Sequence, residues 1–346
     1  MATESPYLGQ ELDIGEIRLL TISSTESGLA ISTEPHMVTE DLLFDAVSYV
    51  WGTAPATVET TCNGKPFLVT STAYEMLVHL HRFRPSPQRP LWIDAICINQ
   101  DDADEKAIQV PFMRRIFSRA VQVIIWMGPS TPDTEVFMAE FPRVLKLAKD
   151  WIPTLTEPYV LWETNRWPQD DNPFWSGCFH LVSREWFRRL WTFQEAVLAR
   201  KAIVLSGASW IDLDIFVDFV VSGHYGKIPY FPPNSPQVDR LTWDNIDSIS
   251  NYRKWIINQG VSVLAINIPY LLQNMRYRHV KEAVDRVWAV AGLFEEDVQK
   301  ELAPKVDYSV QARKDYFKTF IDLAKVVLSR SGELDLLSVG LLVADS

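Results

Sequence analysis

The chain has 346 residues, 47% of them apolar and 22% charged, a balance that fits a folded soluble chain and excludes collagen-like, coiled-coil and disordered classes. With 44 acidic against 33 basic residues the formal charge is −11, and no Lys/Arg run exceeds two, so nucleic acid and anionic membrane surfaces are disfavoured as partners. Cys62, Cys97 and Cys178 form no C-x-x-C pair, which argues against a disulfide framework or a thiolate zinc site and fits a reducing, cytoplasmic compartment.

In chain order, residues 16–22 (EIRLLTI) and 44–51 (FDAVSYVW) read as strands, and 58–62 and 65–70 flank Asn63-Gly64, a pair suited to a type I′ hairpin turn. Thr72-Ala73-Tyr74-Glu75 is a capping-box pattern opening a helix to about residue 84, where Pro85 and Pro87 stop it. The apolar run 91–98 (LWIDAICI) predicts a strand covered on both faces, followed by a helix over 102–119 and a second buried strand over 121–127 (VQVIIWM). Strand, helix, strand in so short a span is a βαβ unit, so the expected fold class is α/β with a mostly parallel central sheet flanked by helices. Pro111 should kink or break the helix between the two strands. A helix over 131–149 leads into a loop-rich insertion, 151–180, read either as a lid or, by preference, as a packed irregular excursion. One continuous helix over 184–199, a strand over 202–205 and a helix over 212–221 follow. The proline-rich stretch 223–236 divides an α/β domain, 1–222, from a mainly helical C-terminal region, 223–346, with helices over 245–258, 269–278, 281–293 and 310–331. The last residues, LDLLSVGLLVADS, form an apolar segment that needs a partner surface. No apolar stretch reaches the length of a bilayer span, and no targeting segment is visible.

Taken as one helix, REWFRRLWTFQEAVLA places Trp186, Phe187, Leu190, Phe193 and Val197 on one side and Arg184, Arg188 and Glu195 on the other, with Trp191 at the edge. Glu195 has no charged residue three or four positions away, so it is either solvated, which spacing favours, or aimed outside its helix. Asp94, in a strand that reads as buried, must be paired, hydrogen-bonded or at a cleft, and a structural hydrogen bond to a nearby loop is the simpler reading. Ligands of open α/β sheets gather at strand carboxyl ends, where Asn99 and Gln100 follow one strand and Tyr49, Trp51 and Gly52 another. Nucleophile-elbow, P-loop, H-E-x-x-H and dinucleotide-type glycine motifs are absent, and the six histidines have no ligand spacing, so no metal site is expected.

The segments GEIRLLTI, FDAVSYVWG, NGKPFLVT, LWIDAICINQDDADEKAIQV, MRRIFSRAVQVIIWMG and REWFRRLWTFQEAVLA resemble, in order and spacing, the fungal heterokaryon incompatibility (HET) domain from residue 16 to about 205. A weaker echo of the segment that often follows this domain appears in MRYRHVKEAVDRVWAVAGLF and VDYS. Pro111, and the lack of a proline before Asp285-Arg286, depart from the family pattern. The resemblance implies a role in non-self recognition between fungal cells, ending in growth arrest and cell death, with self-association or another incompatibility protein as partner. The family is distantly similar to Toll/interleukin-1 receptor (TIR) domains, several of which cleave NAD at the nicotinamide riboside bond with a glutamate in a W-x-x-x-E helix. Trp191-Thr192-Phe193-Gln194-Glu195 has that pattern. Carried over, it implies an elaborated TIR-like fold, NAD as a substrate with no resident cofactor, Glu195 as the catalytic carboxylate at an oxocarbenium-like ribose, and Trp191 as a wall for ribose or base. Tyr49, Trp51, Gly52, Asp94 and Asn99 at the strand ends, with Arg188 on the helix, complete the expected binding residues. The alternative is a death-inducing interaction module that catalyses nothing.

Overall fold

The structure, a computed structural model, describes residues 5–26, 28–150, 167–228, 231–232, 238–259 and 268–331. Strands β1 (Glu16–Thr25) and β2 (Gly28–Met37) pair antiparallel over their whole length, and β3 (Asp45–Tyr49) is buried at every position. The hairpin β4 (Val58–Cys62) and β5 (Lys65–Val69) turns at Asn63 (φ 55°) and Gly64 (φ 73°), the two positive values that a type I′ turn requires. Helix α1 (Ser71–Phe83) starts earlier than the capping-box reading placed it, because Thr70 accepts from the Ala73 amide.

The chain continues through β6 (Leu91–Trp92), α2 (Asp94–Cys97), α3 (Ala103–Arg119), β7 (Gln122–Trp126) and α4 (Pro132–Asp150). Helices α5 (Pro173–Val182) and α6 (Trp191–Leu198) lead to β8 (Ala202–Ser206), β9 (Ser209–Asp212) and α7 (Leu213–His224). The C-terminal part is helical: α8 (Arg240–Gln259), α9 (Ile268–Met275), α10 (Asp285–Ala291), α11 (Glu296–Leu302), α12 (Val310–Lys314) and α13 (Phe317–Ser331).

The sheet order is β5-β4-β2-β1-β6-β3-β7-β8-β9. It is mixed, which corrects the expectation of a mostly parallel sheet: β6, β3, β7 and β8 form a parallel centre, while antiparallel hairpins β1–β2, β4–β5 and β8–β9 extend both flanks. Hairpins need only a short turn, whereas parallel neighbours need a long crossover, and β2 and β4 also pair in parallel with β3 between them in the chain, so the βαβ signal reported the centre alone.

Two further expectations are corrected. Residues 91–98 are not one strand. Only Leu91–Trp92 pairs in the sheet, and Asp94 then opens the single turn α2, accepting the Ala95 amide on its own carboxylate at 2.7 Å. The run is buried as read, but periodicity in a short apolar run does not separate a strand from a buried helical turn. Residues 184–199 are not one helix either. A 3-10 turn, Glu185–Arg188, ends in extended Arg189 (φ −73°, ψ 146°) before α6 begins. The cause is distant in sequence: His279 donates its amide to the Arg188 carbonyl at 2.7 Å, and its carbonyl accepts from Leu190 at 3.0 Å.

Pro111 is accommodated inside α3, which runs on to Arg119. The expected helix over 310–331 is interrupted at Asp315 (ψ 53°), and residues 173–182 of the expected insertion are helix α5. Residues 151–166 of that insertion, 229–230 and 233–236 of the proline-rich connection and the apolar C-terminal segment lie outside the described residues.

The later helices are tied to α6. Buried Arg253 of α8 donates to the carbonyls of Ala196 and Ala199 and pairs with Asp214, and buried Arg278 donates to the Phe187 carbonyl at 3.1 Å. Gln194 accepts the Gly292 amide at 2.9 Å. Among the described residues no helix is long and apolar enough to cross a membrane.

Candidate functional site

The carboxyl ends of β3 and β6 lie side by side because the two strands pair in parallel. Beyond β3 the chain carries Trp51, and beyond β6 it carries Asp94. The Trp51 indole donates to both Asp94 carboxylate oxygens at 3.2 Å, and Gln100 donates to the Asp94 carbonyl at 3.0 Å. The break before α6 brings in Arg189, whose guanidinium donates to the Tyr49 carbonyl at 3.1 Å.

Glu195 sits behind this group, 5% exposed. Its carboxyl accepts the hydroxyl of Ser48 on β3, and Ser48 in turn accepts the Trp186 indole N–H at 2.7 Å. Burial, and then the neighbouring Asp94, push the Glu195 carboxyl up to about 8, against the lowering effects of the Ser48 hydrogen bond and Arg189. Burial also raises Asp94, opposed by Arg189, the Ala95 amide and Trp51. The Tyr49 phenol is pushed up by burial and by Asp94. Two carboxyls and one guanidinium therefore share a weakly solvated space, which favours the neutral form of Glu195.

In front of Asp94 opens a cleft of about 290 Å³. Its lining combines Trp51, Asp94, Lys106, Arg189 and Trp191 with residues from the C-terminal helices and loops, Lys281, Glu282, Asp285, Tyr308 and Arg313. Asp285 is 7% exposed and accepts the Tyr308 hydroxyl at 2.8 Å. It also holds the Trp191 indole, and burial above all pushes its carboxyl up to about 6. The Lys106 ammonium lies 5.9 Å from the centre of the Tyr308 ring. Among the described residues no group of three or more His, Cys, Asp or Glu side chains could hold a metal ion.

Of the residues expected from the sequence, Trp51, Asp94 and Trp191 line this cleft. Glu195 lies behind it beside Asp94 and Arg189, and Tyr49 contributes its carbonyl to the same group. Three do not line it. Asn99 donates its amide to Glu105 at 2.8 Å, Gly52 (φ +78°) is exposed beside Thr72, and Arg188 pairs with Asp239 at 2.7 Å and Thr242 at 3.1 Å. The favoured solvated reading of Glu195 and the placement of Arg188 fail for one reason: the helical wheel assumed a continuous helix, and the break at Arg189 changes which side chains face the sheet.

Sequence reasoning also passed over Ser48, Arg189, Asp285 and Tyr308. A serine inside the buried run DAVSY must find a partner, which was a usable signal for Ser48. Nothing local marks Arg189, because His279 sets its conformation. Asp285 and Tyr308 fall in the segments VDRVW and VDYS, but their spacing does not say that they meet each other or that Asp285 meets Trp191.

Residues 44–195 match the family described as Heterokaryon incompatibility protein (HET). The chain is similar to "Heterokaryon incompatibility protein 6, OR allele" of Neurospora crassa (strain ATCC 24698 / 74-OR23-1A / CBS 708.71 / DSM 1257 / FGSC 987), with 34% identity over 192 residues. That stretch covers 47% of this chain and 28% of the relative, so this chain spans well under two thirds of the relative's length. No solved structure matches the chain. The family match begins just before β3 and ends at Glu195, so it includes Ser48, Trp51, Asp94, Arg189 and Trp191. Over residues 44–195 the chain is therefore similar to the heterokaryon incompatibility (HET) family, and this similar stretch contains Glu195 and the strand ends beside it.

Proposed function

We propose that this chain acts in fungal non-self recognition as an effector of cell death, and that its cleft hydrolyses NAD at the nicotinamide glycosidic bond. The observation that carries the enzymatic part is one cleft at the ends of β3 and β6 that joins two indoles, a cluster of cations and the Asp94 carboxylate, with Glu195 behind it. Indole faces suit a nicotinamide or adenine ring, and a carboxylate suits the positive charge that develops at the ribose.

In this reading the C1′–N bond breaks with both electrons moving to the nicotinamide nitrogen, which neutralises the pyridinium. Asp94 stabilises the oxocarbenium-like ribose. Water adds at C1′ and releases its surplus proton to solvent, giving nicotinamide, ADP-ribose and one proton. Arg189, Trp51 and the Ala95 amide favour the Asp94 anion, while protonated Glu195 avoids a second negative charge beside it. Glu195 is thus a positioning residue, and Asp285 holds Trp191 as a wall of the cleft.

The test is incubation of the purified full chain with NAD at high protein concentration, with products separated by chromatography. Equal amounts of nicotinamide and ADP-ribose are expected from the wild type, and Asp94→Asn should lose ~100-fold or more of the rate, as when a preorganised charge is removed. No release at any concentration, with Asp94→Asn still killing cells, overturns the enzymatic reading. A non-enzymatic recruitment module is the second reading, favoured by Phe317 and Ile321, one turn apart on α13 and 58% and 52% exposed.

A further inference from the structure

The family match ends at Glu195, but the cleft does not. Five of its fourteen lining residues among those described, Lys281, Glu282, Asp285, Tyr308 and Arg313, lie after the matched stretch. In a chain of formal charge −11, the cleft has the opposite bias, with Lys106, Arg189, Lys281 and Arg313 against Asp94, Glu282 and Asp285. Asp285 is occupied by Tyr308 and Trp191, and Glu282 meets Arg313 only at 3.7 Å. Lys106 and Lys281 form no ion pair among the described residues. Burial above all, and then the nearby Arg313, disfavour the Lys106 ammonium, while Asp101, Glu282 and Asp285 favour it, so Lys106 and Arg313 face one space within the same cleft.

We propose that Lys106, Lys281 and Arg313 form a diphosphate-binding corner, so that the cleft takes a nucleotide carrying a diphosphate and the HET-matched stretch supplies only part of that site. The inference rests on the reading of this cleft as the NAD site, and it names which end of the ligand the C-terminal wall holds. A diphosphate spreads two charges over several oxygens, which matches adjacent cations, and the guanidinium fork of Arg313 suits paired phosphate oxygens. In NAD the diphosphate hangs from C5′ of the same ribose that loses nicotinamide from C1′, so Asp94 and the cationic corner would act on opposite ends of one sugar. Glu282 competes with the ligand for Arg313.

The experiment is calorimetric titration of the full chain with ADP-ribose, with adenosine as the control, at low and high salt. ADP-ribose should bind, and adenosine should bind at least ~10-fold more weakly. Lys106→Ala and Arg313→Ala should each weaken ADP-ribose binding ~10-fold, as expected for loss of a hydrogen bond to a charged group, and reduce its salt dependence. Glu282→Gln should strengthen binding, a gain that misfolding would not produce. ADP-ribose binding needs no bond cleavage, so these results without nicotinamide release sustain the corner and sink the catalytic reading. NAD cleavage with unchanged ADP-ribose affinity in Lys106→Ala and Arg313→Ala overturns the corner and leaves the catalytic reading standing. Failure of the wild type to bind ADP-ribose overturns the corner as well.

Discussion

The two sides of the cleft are built differently. The side formed by β3, α2 and α6 is saturated with short-range bonds: Trp186 to Ser48 to Glu195, Trp51 to Asp94, and Arg189 to the Tyr49 carbonyl. Its polar groups sit on the ends of a parallel sheet centre that is buried throughout. The C-terminal side has one comparable anchor, the buried Asp285 with Tyr308, and otherwise offers half-exposed charges with a long ion pair. A saturated site fixes the geometry of a reacting group, whereas loosely paired charges remain available to a ligand. In the proposed function, chemistry belongs to the first side and ligand selection to the second.

The largest effect expected from perturbing the first side is a pH dependence. Unfolded Glu195 would titrate in the ordinary carboxyl range, and the folded group titrates at about 8. Between those values the folded chain holds a proton that the unfolded chain has released, so stability is full below the unfolded value and falls as pH rises to about 8, by up to a few kcal/mol. Raised Asp94 and Asp285 act with the same sign. Glu195→Gln, which can still accept from Ser48, should flatten this slope and be more stable relative to the wild type at pH 8 than at pH 5, as read by denaturant titration. An unchanged slope would mean that Glu195 is ionised in the folded chain.

A smaller effect is expected from Ser48→Ala. It removes the donor to Glu195 and the acceptor for Trp186 together, and should cost about 1–3 kcal/mol in the same titration. The smallest belongs outside the cleft. Arg188→Ala breaks a part-exposed pair with Asp239 and should cost under about 1 kcal/mol, with NAD turnover unchanged. A marked loss of turnover in Arg188→Ala would return that residue to the site and undo the distinction between it and Arg189.

The hairpin at Asn63-Gly64 and strands β3, β7 and β8 were legible because local chemistry and burial pattern agree there. Strand β2 was not read, since GLAISTEPHM mixes polar residues with Pro35 and takes its strand conformation from pairing with β1. Asp94 and Trp51 could be placed at neighbouring strand ends from the parallel-sheet argument, even though Asp94 proved to start a helical turn. Glu195 was singled out, but its burial was not visible, because His279, some 90 positions away from the Arg188–Leu190 backbone it bonds, breaks the helix that the wheel assumed. Asp285 reaches Trp191, and Tyr308 reaches Asp285, only through the packing of the C-terminal helices, contacts with no local signature.

The most direct test compares nicotinamide release by the wild type, Asp94→Asn and Glu195→Gln at pH 7, with all three matched for melting temperature. Asp94→Asn should lose ~100-fold or more while Glu195→Gln stays within about 10-fold of the wild type, because burial favours the neutral carboxyl that the amide replaces. Loss of release in Glu195→Gln with retention in Asp94→Asn would contradict this, placing the working charge on Glu195.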